Sequence, residues 1–382
     1  MTSREKIQAA FSKEGTKEFP AVICYEDIYI RDHWKQLTAC PWWYAVETDI
    51  DKQVKWRSEV IPAIGQDWFA LPMGYTVEER ENKSIQEKPN GSFRVEKRTN
   101  REERLYEPKI SGECYQEWVR LQAPTNQEEI DYLLPVASHT DPANIQKNGR
   151  KDLVDRLLNG LCADLCPLVH ITSPLQQCVS IWGFEGFMLM LNDNPELIKY
   201  TCERLTSLLD YTIKEKKILG AEAVWIEECY IDMISPGMFR EFNMPYITRV
   251  VEMIKIAGMK SVYYHTGDPW GKLEQILSVG ADAVSFEESK KNFIIDIEDI
   301  VDTVQGCCTV LGNLDATSFL PVCTDEELKA EVARLIFAGR KNKNRFVVSM
   351  GSPVTPGTSV EKVRLYCDLV HEMSSKNVGF IQ

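Results

Sequence analysis

The sequence predicts an α/β fold, a (β/α)8 TIM-type barrel with an N-terminal helical and β-hairpin elaboration. Three observations carry this. From about residue 165 onward, short apolar runs alternate with amphipathic helical stretches, the pattern of parallel βα units. Glycine follows three of the helical blocks, at Gly220, Gly258 and Gly280, where a helix end favours a residue free to take positive φ. The length, 382 residues, suits one elaborated barrel, since such barrels run past about 250 residues as one domain. One barrel domain is therefore expected over 1–382, with a β-hairpin excursion at 71–118 inside it. An open doubly wound sheet is the alternative. No G-x-G-x-x-G follows any apolar run, which weakens a dinucleotide-binding reading.

In chain order, Thr2 and Glu5 form a T-x-x-E capping box, so a helix opens the chain with Ile7, Ala10 and Phe11 on one face. FPAVICYED (19–27) reads as a buried strand ending in acids. Residues 41–70 gather Trp42, Trp43, Tyr44, Trp56, Trp68 and Phe69. Between 71 and 118 the composition shifts to Glu, Lys and Arg, with Pro89-Asn90-Gly91 as a turn signal between alternating segments. Strands are then expected in PLVHITSP (167–174), EAVWIEE (222–228), KSVYYHTG (260–267), DAVSFEE (282–288), CTVLGNLD (308–315) and RFVVSMGS (345–352). Helices are expected between them at 194–218, 236–257, 269–278, 296–305 and 324–339, with a last one at 358–373.

Lys and Arg number 44 against 57 Asp and Glu, a net charge of −13. That acidity disfavours nucleic-acid backbones and anionic membranes as partners. It suits a small-molecule enzyme or docking to a basic protein patch. Twelve cysteines without a CxxC read as buried free thiols in a reducing cytoplasm. The opening MTSREKIQAAFSKEG is charged and lacks an apolar h-region, so it does not read as a secretory leader. No run of about 18 apolar residues suggests a membrane span. A cytoplasmic location is the expectation.

Barrel active sites lie at the C-terminal ends of the strands. There the sequence places Tyr25, Glu26 and Asp27; Glu227 and Glu228; His265; Glu287 and Glu288; Asn313 and Asp315; Ser349 and Ser352. One histidine among several carboxylates can hold a divalent metal such as zinc. It can equally form a general acid–base cluster whose members raise one another's pKa. Spacing does not separate the two. Nucleophilic catalysis has little support, because no G-x-S-x-G elbow occurs. His170, inside an apolar run, reads as a hydrogen-bonded core residue. Tyr264 is among the aromatics available to line a pocket for a flat ligand.

Several segments carry a likeness: TSREKIQAAF (2–11), WGFEGFMLMLNDNPELIKY (182–200), GAEAVWIEE (220–228), ISPGMFREFNMPYI (234–247), YYHTGD (263–268), VLGNLDA (310–316) and VVSMGSPVTPGTSVEKV (347–363). In this order they resemble the uroporphyrinogen decarboxylase superfamily, which also contains corrinoid-dependent methyltransferases. The resemblance implies a (β/α)8 barrel. Its decarboxylases hold substrate propionates with an N-terminal arginine-rich motif. Here FPAVICYEDIYIRDHW (19–34) has one arginine, and two acids stand directly after the strand. Its thiol-alkylating methyltransferases hold zinc with a His-x-Cys pair and a later cysteine. This chain keeps His265 but has Gly267 and Ser352 at the cysteine positions.

The remaining branch passes a methyl group from a small donor to the cobalt of a separate corrinoid protein, and includes the O-demethylase methyltransferase components. For this chain the likeness implies a methoxylated aromatic as donor, with a methylamine or quaternary amine, or a decarboxylase activity, as alternatives. A non-catalytic scaffold is a further possibility. The implied catalytic set is Glu228, His265 and Glu287, the same three as zinc ligands or proton donors. Tyr25, Glu26, Glu227, Tyr264, Asn313, Asp315 and Ser352 would contact substrate. Cobalamin would arrive on the partner protein, since no D-x-H-x-x-G motif is present.

Overall fold

The computed structural model describes residues 1–111, 123–135, 141–290 and 292–375. Thr2 caps the first helix, Ser3–Ala10, with both halves of its box formed. Strand β1 (Ala21–Val22) and strand β2 (Trp68–Ala70) flank two helices, Glu26–Leu37 and Ile50–Ile64. An antiparallel sheet follows, with β3 (Lys83–Lys88), β4 (Gly91–Glu96) and β5 (Arg101–Leu105). The expected excursion is therefore a hairpin plus a third strand, and its residues 112–118 lie outside the described ones. The regular part then runs through β6 (Cys166–Thr172), β7 (Ala223–Glu228), β8 (Lys260–His265), β9 (Ala283–Phe286), β10 (Thr309–Leu314) and β11 (Phe346–Met350).

Eight strands form one parallel sheet in the order β1-β11-β10-β9-β8-β7-β6-β2, the wall of a (β/α)8 barrel. No ladder joins β1 to β2 at the seam. One backbone bond and side-chain bonds close it instead. The Asp67 amide donates to the Ala21 carbonyl at 2.9 Å, and the Ala21 amide donates to Asp67 Oδ2 at 2.7 Å. Beyond that one backbone bond the partners on this side are side chains, Asp67 for Ala21 and Gln66, whose Oε1 accepts from the Ile23 amide at 3.0 Å.

The two faces of each strand pack differently. Val169, Ile171, Val224, Ile226, Tyr263, Val284, Phe286, Val310 and Phe346 join the core shared with the surrounding helices. The alternate residues Leu168, Trp225, Val262, Tyr264, Ala283, Leu311 and Val347 fill the lumen together with Ile7, Ala10 and Phe11 of the first helix. That helix plugs the N-terminal end of the barrel, and Thr309 Oγ1 donates to the Ala10 carbonyl at 2.7 Å. The opposite end remains as the mouth. Among the described residues no helix is long and apolar enough to cross a membrane.

The expected helix 236–257 is interrupted. Ser235 caps a first turn, Pro236–Met238, then a π turn spans Phe239–Asn243 before the helix Met244–Ile256. Pro245 lacks an N–H and its ring crowds the carbonyl of Glu241, so a regular α-turn is unfavourable there. The wider turn carries Asn243 inward, where it is buried. Such turns concentrate at functional sites.

Candidate active site

Register decides which strand-end side chains share the lumen. Glu227 pairs with Tyr264, and Tyr264 with Ser285, across β7, β8 and β9. Glu228 pairs with His265, and His265 with Phe286. Since side chains alternate along a strand, the first row lines the lumen and the second faces the helices. Glu287 continues the phase of Ser285, and its charge reaches the lumen residue Tyr264.

At the mouth the Tyr25 hydroxyl donates to Glu227 Oε1 at 2.8 Å. Tyr25 has φ of 53°, a left-handed conformation that costs a bulky residue free energy and marks functional positions. That turn swings its ring into the lumen, 5.6 Å from His170, 6.1 Å from Trp225 and 5.9 Å from Tyr264 between centroids. Trp225 lies 4.8 Å from Tyr264 and 5.8 Å from Trp68. These rings make an aromatic floor. Burial, then the Glu227 charge, pushes the Tyr25 phenol far up, so it stays protonated. Burial alone pulls His170 down to about 4, leaving it neutral. Trp225 Nε1 and Ser285 Oγ are buried without a hydrogen-bond partner among the described residues.

The Glu287 carboxylate accepts from the Gly267 amide at 2.9 Å. Gly267 has φ of 79°, and a Cβ there would lie 2.3 Å from the Asp232 carboxyl carbon. Only glycine fits here, so this position cannot carry a thiolate in this fold.

Behind the wall, Glu228 is fully buried. It accepts from Ser173 Oγ at 2.6 Å, Asn243 Nδ2 at 2.6 Å and Tyr263 OH at 3.1 Å. Burial raises its carboxyl to about 7; the three hydrogen bonds oppose that, and the Glu227 charge adds to it. His265 is also fully buried, with Phe286 6.2 Å away and neither ring nitrogen partnered among the described residues. Burial, then Lys272, drives it down to about 3.

The expected set of Glu228, His265 and Glu287 is thus not brought together. Two members face the helices and one faces the lumen. Among the described residues no three His, Cys, Asp or Glu side chains gather closely enough to hold a metal ion. Zinc does not fit these residues as placed.

The other expected contacts divide. Tyr25, Glu227 and Tyr264 share the lumen, with the Tyr264 hydroxyl donating to the Gly351 carbonyl at 2.8 Å. Asn313 follows the lumen phase, yet its Nδ2 is taken by the carbonyls of Glu287 and Ile295 at 3.0 and 3.1 Å. It braces the loop after β9. Glu26 is occupied elsewhere, its Oε2 accepting from Gln66 Nε2 at 2.9 Å and the Ala70 amide at 3.0 Å. Asp315 holds its own turn, accepting from the amides of Thr317 and Ser318 at 2.8 Å each. Ser352 donates to Glu288 Oε1 at 2.9 Å, where Lys290 also binds at 2.6 Å. His170, Trp225 and Trp68 belong to the floor and were not singled out as site residues by the sequence. His170 stands two residues after the lumen residue Leu168, a phase that the uniformly apolar run around it does not reveal in the sequence.

Comparison with known proteins agrees with this architecture. A family model described as "Uroporphyrinogen decarboxylase (URO-D)" matches residues 124–373. The uroporphyrinogen decarboxylase of Anaeromyxobacter sp. (strain Fw109-5) is 28% identical over 194 residues, 51% of this chain and 53% of that protein. That of Thermodesulfovibrio yellowstonii is 29% identical over 178 residues, 47% of this chain and 49% of that protein. The chain thus spans about half the length of these curated relatives. A methyltransferase from Methanosarcina mazei superposes with a TM-score of 0.67 at 15% identity, covering 98% of this chain and 99% of that one. At that identity the likeness concerns the fold. With a family match over more than half its length and the matching barrel, this chain belongs to the uroporphyrinogen decarboxylase family.

Proposed function

We propose that the chain is a methyltransferase that moves a methyl group from a methoxylated aromatic to the cobalt of a corrinoid carried on a separate protein. The observation that carries this reading is the Tyr25–Glu227 hydrogen bond, 2.8 Å long, above a floor of aromatic rings. A flat ring can stack on the half-buried Tyr25, which the buried rings of Trp225 and Tyr264 support from below. An aryl methyl ether is slow to lose its methyl group because the aryloxide is a poor leaving group. Tyr25, kept protonated, can turn its hydroxyl from Glu227 to the departing oxygen and stabilise the charge that develops there. The corrinoid's low-valent cobalt would supply the nucleophile, arriving over the mouth. The loops around it expose Tyr230, Met233, Trp270 and Ile294 among charged residues such as Asp232 and Asp268, and exposed apolar side chains of this kind can mark a docking surface.

Decarboxylation of a porphyrinogen fits less well. Glu227 and Glu287 line the lumen, and the ammonium near them, Lys290, is already shared between Glu287 at 3.6 Å and Glu288 at 2.6 Å, so several propionates would find little positive charge there. A second donor class has its own support. The Glu227 carboxylate beside the Tyr25 ring suits a methylated ammonium cation.

The test is optical. A corrinoid protein reduced to Co(I) is mixed with the chain and with methoxylated aromatics, methylamines or quaternary amines in turn. Conversion to the methyl-Co(III) spectrum with the ethers is expected. Conversion only with amines would select the second class. No conversion with any donor, beside a working control enzyme, would overturn the methyltransferase reading.

A further inference from the structure

Four histidines lie among the described residues, and three are set away from the lumen. His33 Nδ1 and Nε2 lie 3.0 and 2.8 Å from the carbonyls of Tyr29 and Thr358. His371 Nε2 lies 2.6 Å from Asp67 Oδ2 at the seam. His265 is sealed behind the barrel wall. His170 differs. It is partly exposed, and its ring stands in the lumen beside Tyr25 and Trp225. Burial alone keeps it neutral, with neither a hydrogen bond nor a neighbouring charge acting on it. Its ring nitrogens are thus open to a ligand. Two more lumen groups lack partners, Trp225 Nε1 and Ser285 Oγ. Protein interiors pair such groups as a rule, so this lumen carries more polar capacity than the chain itself uses.

We propose that His170 is a specificity-determining residue of the lumen, whose imidazole hydrogen-bonds a hydroxyl on a bound aromatic ring, opposite the ether oxygen that meets Tyr25. This rests on the aromatic-donor reading above. A neutral imidazole offers one donor and one acceptor nitrogen. A hydroxyl is also both, so it pairs with whichever nitrogen faces it. A carboxylate would meet Glu227 with no cation at His170 to offset it, and an ammonium would be drawn to Glu227 instead. Register sets the depth. His170 pairs with Trp225, and Thr172 with Glu227. His170 therefore lies two residues, roughly 6–7 Å along the strands, below the level at which Glu227 receives the Tyr25 hydroxyl. Opposite positions of one benzene ring span a comparable length, whereas adjacent positions fall well short of it.

The experiment is calorimetry of the full chain with methoxybenzene, ortho-methoxyphenol and para-methoxyphenol. The para compound is expected to bind about fivefold tighter than methoxybenzene, the scale of one hydrogen bond, and the ortho compound to gain less. His170→Phe should bring the para compound to within about twofold of methoxybenzene. His170→Gln should restore part of the difference, which a packing role would not do. In the wild type, affinities within about twofold for all three compounds, or a preference for the ortho compound, would overturn the proposal. A para preference that persists in His170→Phe would do the same. Absence of binding by any of the three would overturn it together with the aromatic reading. A para preference lost in His170→Phe, without methyl transfer in the optical assay, would uphold His170 and sink the methyltransferase reading alone.

Discussion

Glu227 and Glu228 are adjacent in the chain and lie on opposite sides of the barrel wall. Glu227 receives the Tyr25 hydroxyl in the lumen at 2.8 Å, whereas Glu228 receives Ser173, Asn243 and Tyr263 behind it. One carboxylate is available to a ligand and the other holds β6, β7, β8 and the π turn together. Substitutions at the two positions should therefore read out differently.

Tyr25→Phe removes one hydroxyl and leaves the ring in place. Methyl transfer from an aryl ether should slow by about 10²-fold, the scale of one oriented donor at a developing charge. Stability should change by only about 1 kcal/mol, the net contribution of one hydrogen bond. Stopped-flow formation of methyl-Co(III) and thermal melting check the two halves. An unchanged rate would remove Tyr25 from the chemistry.

Glu228→Gln tests the buried network through pH. Glu228 titrates near 4.5 in the unfolded chain and at about 7 in the fold. Between those values the native state holds a proton that the unfolded state has released, so stability declines as pH rises through this window. The decline from this residue is about 3 kcal/mol. Glu26, raised to about 8 by burial and by Asp27, slopes the same way and remains in the variant. Denaturant titrations from about pH 5 to about pH 8 should show a flatter dependence for Glu228→Gln than for the wild type. Parallel curves would contradict the assignment.

Asp67→Ala opens the seam. The buried carboxylate accepts from the Ala21 amide, and pairs with Lys6 at 3.2 Å and His371 at 2.6 Å. Burial opposes its ionisation, but His371, Lys6 and Ser3 hold it below the ordinary aspartate range overall. Its stabilising contribution is present at neutral pH and is lost as pH falls through the lowered value. The substitution should cost about 2–4 kcal/mol, because partners are left unpaired against a barrel edge. Chemical denaturation at neutral pH measures it, and a cost below about 1 kcal/mol would mean the seam does not depend on this residue.

Zinc titration tests whether the expected metal set assembles. With Glu228 and His265 on the helix side and Glu287 in the lumen, calorimetry of the chain with zinc should show no tight one-to-one site. His265→Ala should leave that result unchanged. Stoichiometric tight binding abolished by His265→Ala would require these side chains to reorganise around the ion.

The barrel was legible in the sequence, because β1 and the strands from β6 to β11 are short apolar runs and the helices between them have a cap or glycine that marks an end; β2, within the aromatic stretch 41–70, was not read as a strand. The sequence also determined that acids crowd the strand ends. Only the tertiary structure decided which of them face a ligand. Strands of a parallel barrel are buried on both faces, so no polar–apolar contrast reveals their phase, and a one-residue error exchanges lumen for helix side. That is why Glu228 and His265 read as site residues while His170 read as core. The left-handed turn at Tyr25 and the π turn that delivers Asn243 were equally illegible. Each depends on contacts between segments far apart in the chain, Tyr25 with Glu227 and Asn243 with Glu228, that form only when the barrel closes.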